Sequence, residues 1–136
     1  MDNITGKITL TNLCFSHFEF SQDTEKKGPL KLNYGFKVTY KKTSEKSQLV
    51  KILVKITGED NRLNLSIEEQ AHVELVNAEL LDENTQKTLL NQNSVAIMFP
   101  YLRSQVALLT SQPGLNTVQL PIIDVTQLIK TATYED

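Results

Sequence analysis

Regular alternation between apolar and polar residues runs through the first half of the chain and restricts what it can fold into. Apolar side chains occupy the even positions of residues 30–40, and again of residues 50–56, where lysines lie between them. The alternation returns in residues 63–67 and continues through residues 71–75. Successive side chains of a strand point to opposite faces, so these segments predict long strands with one buried face. The polar residues 41–48 predict a hairpin loop.

A first strand is predicted from Ile4 to Phe20, but its apolar positions change parity along the way. They are even up to residue 10, odd at Leu13 and Phe15, and even again at Phe18 and Phe20. A one-residue slip would move the whole apolar set to the other face. The two parity changes therefore predict bulges or a bend in this strand.

The spacing of the apolar residues changes after residue 76. Apolar residues then recur at helical spacing, at Val95, Met98, Phe99, Leu102, Val106 and Leu109. Pro100 lies inside this stripe, so the helix either begins near Phe99 or bends there after a short piece from about Asn93. Pro113 and Gly114 end it, and residues 82–92 predict a further short helix.

Residues 115–123 are called the crossover segment below. They follow neither the alternation of a strand nor the spacing of a helix, are mostly apolar and contain Pro121. Asp124 followed by Gln127 resembles a capping box and predicts a last helix with Val125, Leu128 and Ile129. Residues 1–136 thus predict a single α+β domain. Its expected architecture is a four-stranded antiparallel β-meander followed by a long helix, an apolar crossover segment and a short C-terminal helix.

Composition and residue spacing argue against catalysis and nucleic-acid binding. The 14 basic and 16 acidic residues give a net charge of −2, without the basic footprint of a nucleic-acid binder. His17 and His72 are isolated in predicted strands, so no metal ligand set is predicted. Cys14, the single cysteine, predicts a buried thiol in a reducing compartment. We expect no enzyme, no catalytic residue and no cofactor.

Two further patterns bear on location. No apolar stretch approaches the roughly 20 residues that span a bilayer, which predicts no membrane insertion. The first residues show no charged region leading into an apolar run, which predicts no signal peptide. We therefore expect a cytoplasmic protein.

The crossover segment carries more apolar residues than a small core is expected to bury, among them Leu115, Val118 and Ile122. It is interpreted either as a loop that covers the sheet, or as part of a hydrophobic groove or an oligomer interface. On the second interpretation Leu120 and Ile123 stay partly exposed. Replacing both by Ala is then expected to leave the melting temperature nearly unchanged.

Residues 97–103, Ile-Met-Phe-Pro-Tyr-Leu-Arg, resemble the Ile-Leu-Phe-Pro-Tyr-Ala-Arg signature of the SecB export chaperones. Phe99, Pro100, Tyr101 and Arg103 carry the match. The similarity runs without a gap from about residue 93 to residue 129 and includes the Val-Gln-Leu-Pro sequence of residues 118–121.

The resemblance implies an ATP-independent holdase that binds unfolded or extended client polypeptides, with protein export as one possible role. It also implies a homo-oligomer, a tetramer built as a dimer of dimers. At the matching positions the client groove would be lined by Leu115, Val118, Leu120, Ile123, Val125, Leu128 and Ile129.

The chain departs from the family pattern at three places. Leu102 replaces a small residue of the signature, and the acidic tail shrinks to residues 135–136. The strand that carries the family's acidic docking surface for the SecA motor has no acid at the exposed positions of residues 63–67. Two alternatives stay open: a chaperone or binding module for one partner, such as a toxin–antitoxin pair, and a non-enzymatic interaction protein with no export role.

Overall fold

The computed structural model describes residues 7–26 and 28–135. Its described part forms five strands, β1 (Lys7–Gln22), β2 (Leu32–Ser44), β3 (Ser47–Gly58), β4 (Leu63–Val76) and β5 (Thr133–Glu135). Helix α1 (Glu83–Thr88) continues through a π-helical turn (Leu89–Asn93) into α2 (Ser94–Leu109), and α3 (Val125–Ile129) follows the crossover segment. The predicted α+β class, long helix and short last helix are confirmed.

The strands form one sheet in the order β1-β4-β3-β2-β5. β2, β3 and β4 are joined as antiparallel neighbours, as predicted, but β1 pairs with β4 and not with β2. This corrects one step of the expected meander. The connection across residues 23–31 is too long for a tight hairpin. It is long enough to run from β1 past β4 and β3 to β2, a distance of three strand spacings of about 4.8 Å each. β5, which pairs in parallel with β2, was not predicted because three residues carry no periodic signal.

The core lies on one face of the sheet, called the core face below, and the opposite face is called the outer face. The alternating residues of β2–β4 are buried there: Val38, Tyr40, Val50, Ile52, Val54, Ile56, Leu63, Leu65, Ile67, Ala71 and Val73. Helix α2 covers them with Val95, Met98, Phe99, Leu102 and Val106. The predicted alternation is confirmed, and burial of this apolar surface is the main force that holds helix and sheet together.

Helix α2 runs through Pro100, so the expected start near Phe99 is wrong and the alternative start near Asn93 is right. Proline has no backbone N–H, and the Ala96 carbonyl therefore loses its usual partner four residues on. The π-helical turn is fixed by side chains from the sheet. Tyr40 Oη donates to the Asn91 carbonyl at 3.1 Å, and Gln48 Nε2 donates to Asn91 Oδ1 at 2.7 Å.

The same hydrogen bonds explain why the hairpin between β2 and β3 differs from the prediction. The predicted loop of residues 41–48 is reduced to a turn at residues 45–46, because both strands extend into it. Ser47 and Gln48 are buried despite their polarity. The hydrogen bonds of Gln48 to residues 90 and 91 satisfy its side chain and hold the strand in the sheet.

Strand β1 is irregular in the way its parity changes predict. Its register with β4 shifts between Thr11 and Cys14 and again between Phe15 and His17. Ile4, the predicted start of this strand, lies outside the described residues. The first shift places Cys14 opposite Gln70, on the outer face, where it is exposed. The expected buried thiol is therefore wrong, because the bulge moves this residue away from the core.

Candidate functional site

The crossover segment is attached to the end of α2 by one buried side chain. Thr110 is fully buried, and its Oγ1 donates to the Val106 carbonyl at 2.8 Å. The same oxygen accepts a hydrogen bond from the Val118 N–H, also at 2.8 Å. This pair of bonds determines where the crossover segment leaves the helix and returns over the sheet.

The structure divides the seven residues predicted to line a client groove into two groups. Val118, Leu120 and Leu128 are buried members of the core, and Leu120 is only 2% exposed. Leu115, Ile123, Val125 and Ile129 are partly buried and pack against that core. The expectation that Leu120 stays partly exposed is wrong, whereas for Ile123 it is right. Alternate side chains of an extended segment point in opposite directions, so residues 118 and 120 turn inward together.

Ile122 is the most exposed large apolar residue of the described chain, at 93%. It follows Pro121 on the outside of the crossover segment. The sequence marks it as part of an apolar run but does not show which way it points. The segment therefore both contributes to the core and presents an apolar side chain to solvent.

An open groove of about 370 Å³ lies between the crossover segment and the start of β2. Leu30, Leu32 and Tyr34 line one wall, and the other wall includes Leu115 and Thr117. We call it the β2 groove. The predicted site contained residues of the second wall only. Residues of the first wall were assigned to the strand alternation, and no local signal indicates that they border the crossover segment.

The strand edge beside the β2 groove is open. β2 pairs with β3 along its whole length, but on its other side it pairs with β5 only at residues 39–41. Within the described chain, residues 32–38 therefore have one edge without a strand partner. Such an edge presents backbone N–H and C=O groups that can bind another extended chain.

The crossover segment also has free backbone groups. In residues 116–123, the Val118 N–H is the one backbone group with a hydrogen-bond partner in the described part of the protein. Backbone groups without partners among the described residues, together with apolar side chains, thus lie on both sides of the β2 groove. The chemistry available there is hydrogen bonding to a peptide backbone together with apolar contact.

The signature residues of α2 face two ways. Phe99 packs in the core, with its ring centroid 5.9 Å from that of Phe36. Pro100, Tyr101 and Arg103 are exposed on the other side of the helix. Tyr101 belongs to a line of exposed apolar side chains, completed by Ile97 and Leu108, which we call the α2 stripe. Leu102, the departure from the signature, is fully buried against the sheet.

Two buried titratable groups lie on the core face, away from any catalytic arrangement. Burial raises the pKa of the Glu69 carboxyl to about 8. Burial, with a smaller contribution from Tyr134, raises the pKa of Tyr40 far above its ordinary value. Over residues 7–26 and 28–135, no group of three or more His, Cys, Asp or Glu side chains could hold a metal ion. None of the helices described is long and apolar enough to cross a membrane.

An open sheet edge beside a groove that offers apolar side chains is typical of domains that bind extended polypeptide. A family model described as preprotein translocase subunit SecB matches residues 7–135. The chain therefore belongs to the SecB family, which is a family of chaperones.

A search of solved structures supports the fold. The SecB-like chaperone Rv1957 of Mycobacterium tuberculosis, in complex with a ChAD peptide from the HigA1 antitoxin Rv1956, superposes with a TM-score of 0.67 at 14% identity. The match covers 87% of this chain and 88% of that chain. A Streptococcus agalactiae protein of unknown function matches with a TM-score of 0.41 at 10% identity, over 87% of this chain and 99% of that one. No curated protein matches the sequence.

Proposed function

We propose that this SecB family member is an ATP-independent holdase that binds unfolded or extended polypeptide in the β2 groove. The observation that carries the proposal is the open edge of β2 at residues 32–38, beside a groove whose mixed lining includes Leu30, Leu32 and Leu115. A client segment would add to this edge as a further strand. Every second side chain of the client would then point into the groove.

This mode of binding explains how one site could accept many sequences. Backbone hydrogen bonds are the same for every client, so the strand edge contributes affinity without selecting sequence. Leu30, Leu32 and Leu115 supply apolar contact without directional chemistry. The exposed Ile122 extends the apolar surface along the crossover segment. Broad apolar contact of this kind is typical of promiscuous binders.

We also propose a cytoplasmic homo-oligomer, a tetramer by the resemblance. The α2 stripe supports association, because Tyr101 and Leu108 are 55% and 67% exposed on the helix face that turns away from the sheet. Phe18 of β1 is also exposed, at 47%, although it lies on the core face. A second copy of the chain would remove these side chains from water.

Export by way of the SecA motor is not part of this proposal. Asn64 and Ser66 occupy the outer face of β4 at the positions where the resemblance implies an acidic surface. Neither residue supplies a carboxylate that would attract a basic docking segment, and the nearest acids on this face are Glu68 of the same strand and Glu19 of β1, which lies opposite Ser66. Holding a client requires only the β2 groove, and the proposal is limited to that step.

Aggregation of a chemically unfolded client, followed by light scattering, tests the proposed function. We expect suppression at a stoichiometric excess of the protein without ATP. The variant Tyr34→Glu with Leu115→Glu places two charges in the groove and should abolish suppression while circular dichroism stays native. Leu80→Glu, at an exposed apolar residue outside the groove, is the matched control. No suppression by the native protein would contradict the proposal.

A second candidate is a chaperone dedicated to one partner. It is favoured by the Mycobacterium tuberculosis relative, whose structure holds an antitoxin peptide. Competition among several unrelated unfolded clients separates the two candidates. Any of them should displace a bound client from a general holdase, whereas only one partner should displace it from a dedicated chaperone.

A further inference from the structure

Four lysines project from the outer face of the sheet, opposite the core and independent of the β2 groove. Lys37 and Lys41 belong to β2, and Lys51 and Lys55 belong to β3. Their odd positions place them on the face that alternates with the buried residues of the same strands. On each strand the two lysines are about 13 Å apart, at 3.3 Å per residue. We call this surface the lysine face.

The lysines surround two leucines that no other described element covers. Cross-strand pairing puts Leu53 opposite Lys37 and Leu49 opposite Lys41. Both leucines are partly exposed on the open side of the sheet. The lysine face is therefore a mixed surface, with positive charges at its rim and apolar side chains between them.

Gly35 makes a depression in this surface. The cavity has a volume of about 240 Å³ and is lined by Gly35, Lys37, Leu53 and Lys55, with Phe36 below. A Cβ atom built on Gly35 would meet nothing closer than the Lys55 carbonyl oxygen at 3.9 Å, and no positive φ requires glycine at this position. The absence of a side chain at residue 35 leaves space for one apolar side chain from a partner.

The charges of the lysine face are not neutralised within the protein. In the described part of the chain, no carboxylate lies within 4.0 Å of any of these four ammonium groups. Two acids are neighbours on the same face, Glu135 opposite Lys41 and Glu68 opposite Leu53. Glu68 Oε1 accepts a hydrogen bond from Ser16 Oγ at 2.7 Å, and the four lysines outnumber these two neighbouring acids.

We propose that the lysine face is a second binding surface, for an acidic polypeptide segment that carries an apolar side chain. Carboxylates of the partner would pair with the rim lysines, and one apolar side chain would enter the depression at Gly35. Charge complementarity selects the partner and speeds its association. The apolar contact holds the segment in one register.

The composition of the face favours a polypeptide over a nucleic acid. Neither arginine nor an aromatic ring occurs among the outer-face residues of β2 and β3, and nucleic-acid surfaces rely on such groups for stacking. The chain as a whole is acidic, at a net charge of −2, so it has no general attraction for polyanions.

Fluorescence anisotropy with a labelled peptide of alternating glutamates and leucines tests this proposal. We expect binding that weakens as salt is added. Lys51→Glu with Lys55→Glu should weaken it by at least about tenfold, since two attractive contacts become repulsive. Gly35→Val keeps the charge but fills the depression, and it should also weaken binding. Lys87→Glu with Lys130→Glu makes the same charge change away from the face and is the control.

Several results would overturn the proposal. Binding that is unchanged in both lysine-face variants would place the peptide elsewhere. Preferential binding of a single-stranded oligonucleotide, lost in the lysine variant, would identify a nucleic-acid surface. A fall in oligomer mass in that variant would mean that a second copy of the chain occupies the face. Suppression of client aggregation should persist in Lys51→Glu with Lys55→Glu, because both residues belong to β3 and lie outside the open edge of β2. Failure of this proposal is therefore separate from failure of the β2 groove.

Discussion

Glu69 of β4 lies directly opposite Phe15 of β1 on the core face of the sheet. Its other cross-strand neighbour, on β3, is Ile52. Glu69 is fully buried, and neither carboxylate oxygen has a hydrogen-bond partner within the described chain. An ionised carboxylate in such surroundings is costly, so the group keeps its proton and its pKa rises from 4.5 to about 8.

This carboxyl group should make the protein less stable as pH rises. Between about pH 4.5 and pH 8 the unfolded chain has lost this proton while the folded protein retains it. The free energy of unfolding then falls by up to about 1.4 kcal/mol per pH unit and levels off above about pH 8. Thermal melts across this range should show that decline in the native protein and a flatter profile in Glu69→Gln. Parallel profiles for the two proteins would contradict the assignment.

Leu120 and Ile122 should respond in opposite ways to truncation. Leu120→Ala removes a core side chain and should cost about 2–5 kcal/mol of stability. Ile122→Ala removes a side chain that is 93% exposed, so its cost should stay below about 0.5 kcal/mol, with weaker client binding. Chemical denaturation and a client-binding titration measure the two effects. A large loss of stability in Ile122→Ala would show that this residue is covered in the folded protein.

Thr110 should control the position of the crossover segment. Thr110→Val keeps the shape of the side chain but leaves the buried Val118 N–H without an acceptor, at a cost of about 1–3 kcal/mol. Thr110→Ser keeps the hydroxyl and should retain most of the stability. We expect the Val variant also to exchange the Val118 amide hydrogen faster. Equal stability of the Val and Ser variants would exclude the role of this hydrogen bond.

The α2 stripe should decide the oligomeric state. Tyr101→Glu with Leu108→Glu places two charges on an exposed helix face, where they leave the protomer fold intact but would disrupt an apolar interface. Static light scattering at micromolar concentration should show a lower mass than for the native protein. The control, Leu80→Glu, alters an apolar residue that is 77% exposed elsewhere and should keep the native mass. A native protein of 15.4 kDa would contradict association itself.

Local sequence patterns were sufficient for most of the fold. The alternation around Val54 and Ile67 identified the buried face of the sheet, because successive side chains of a strand point to opposite faces. The parity changes near Leu13 predicted the bulges of β1. Asp124 was correctly placed at the start of α3, where its Oδ1 accepts from the Thr126 N–H at 2.9 Å. Each of these features depends on residues close together in the chain.

The candidate site could be predicted only in part. Leu115 was identified from its apolar segment, but Leu30 and Tyr34 lie more than 80 positions earlier and share the β2 groove with it only after folding. The burial of Leu120 likewise depends on the hydrogen bond of Thr110 to the segment before it. Contacts between segments that are far apart in the chain leave no periodic pattern in the sequence.

Local patterns in the sequence were enough to predict which side chains share a face of each strand and helix. The signature of residues 97–103 predicted the family, and the match over residues 7–135 confirmed it. Folding was needed to reveal that β1 lies beside β4, that β2 keeps an open edge, and that Cys14 is exposed. The difference comes from the range of the interactions. Periodicity is set by local backbone geometry, whereas strand order and burial depend on contacts between distant segments that compete for the same apolar surface.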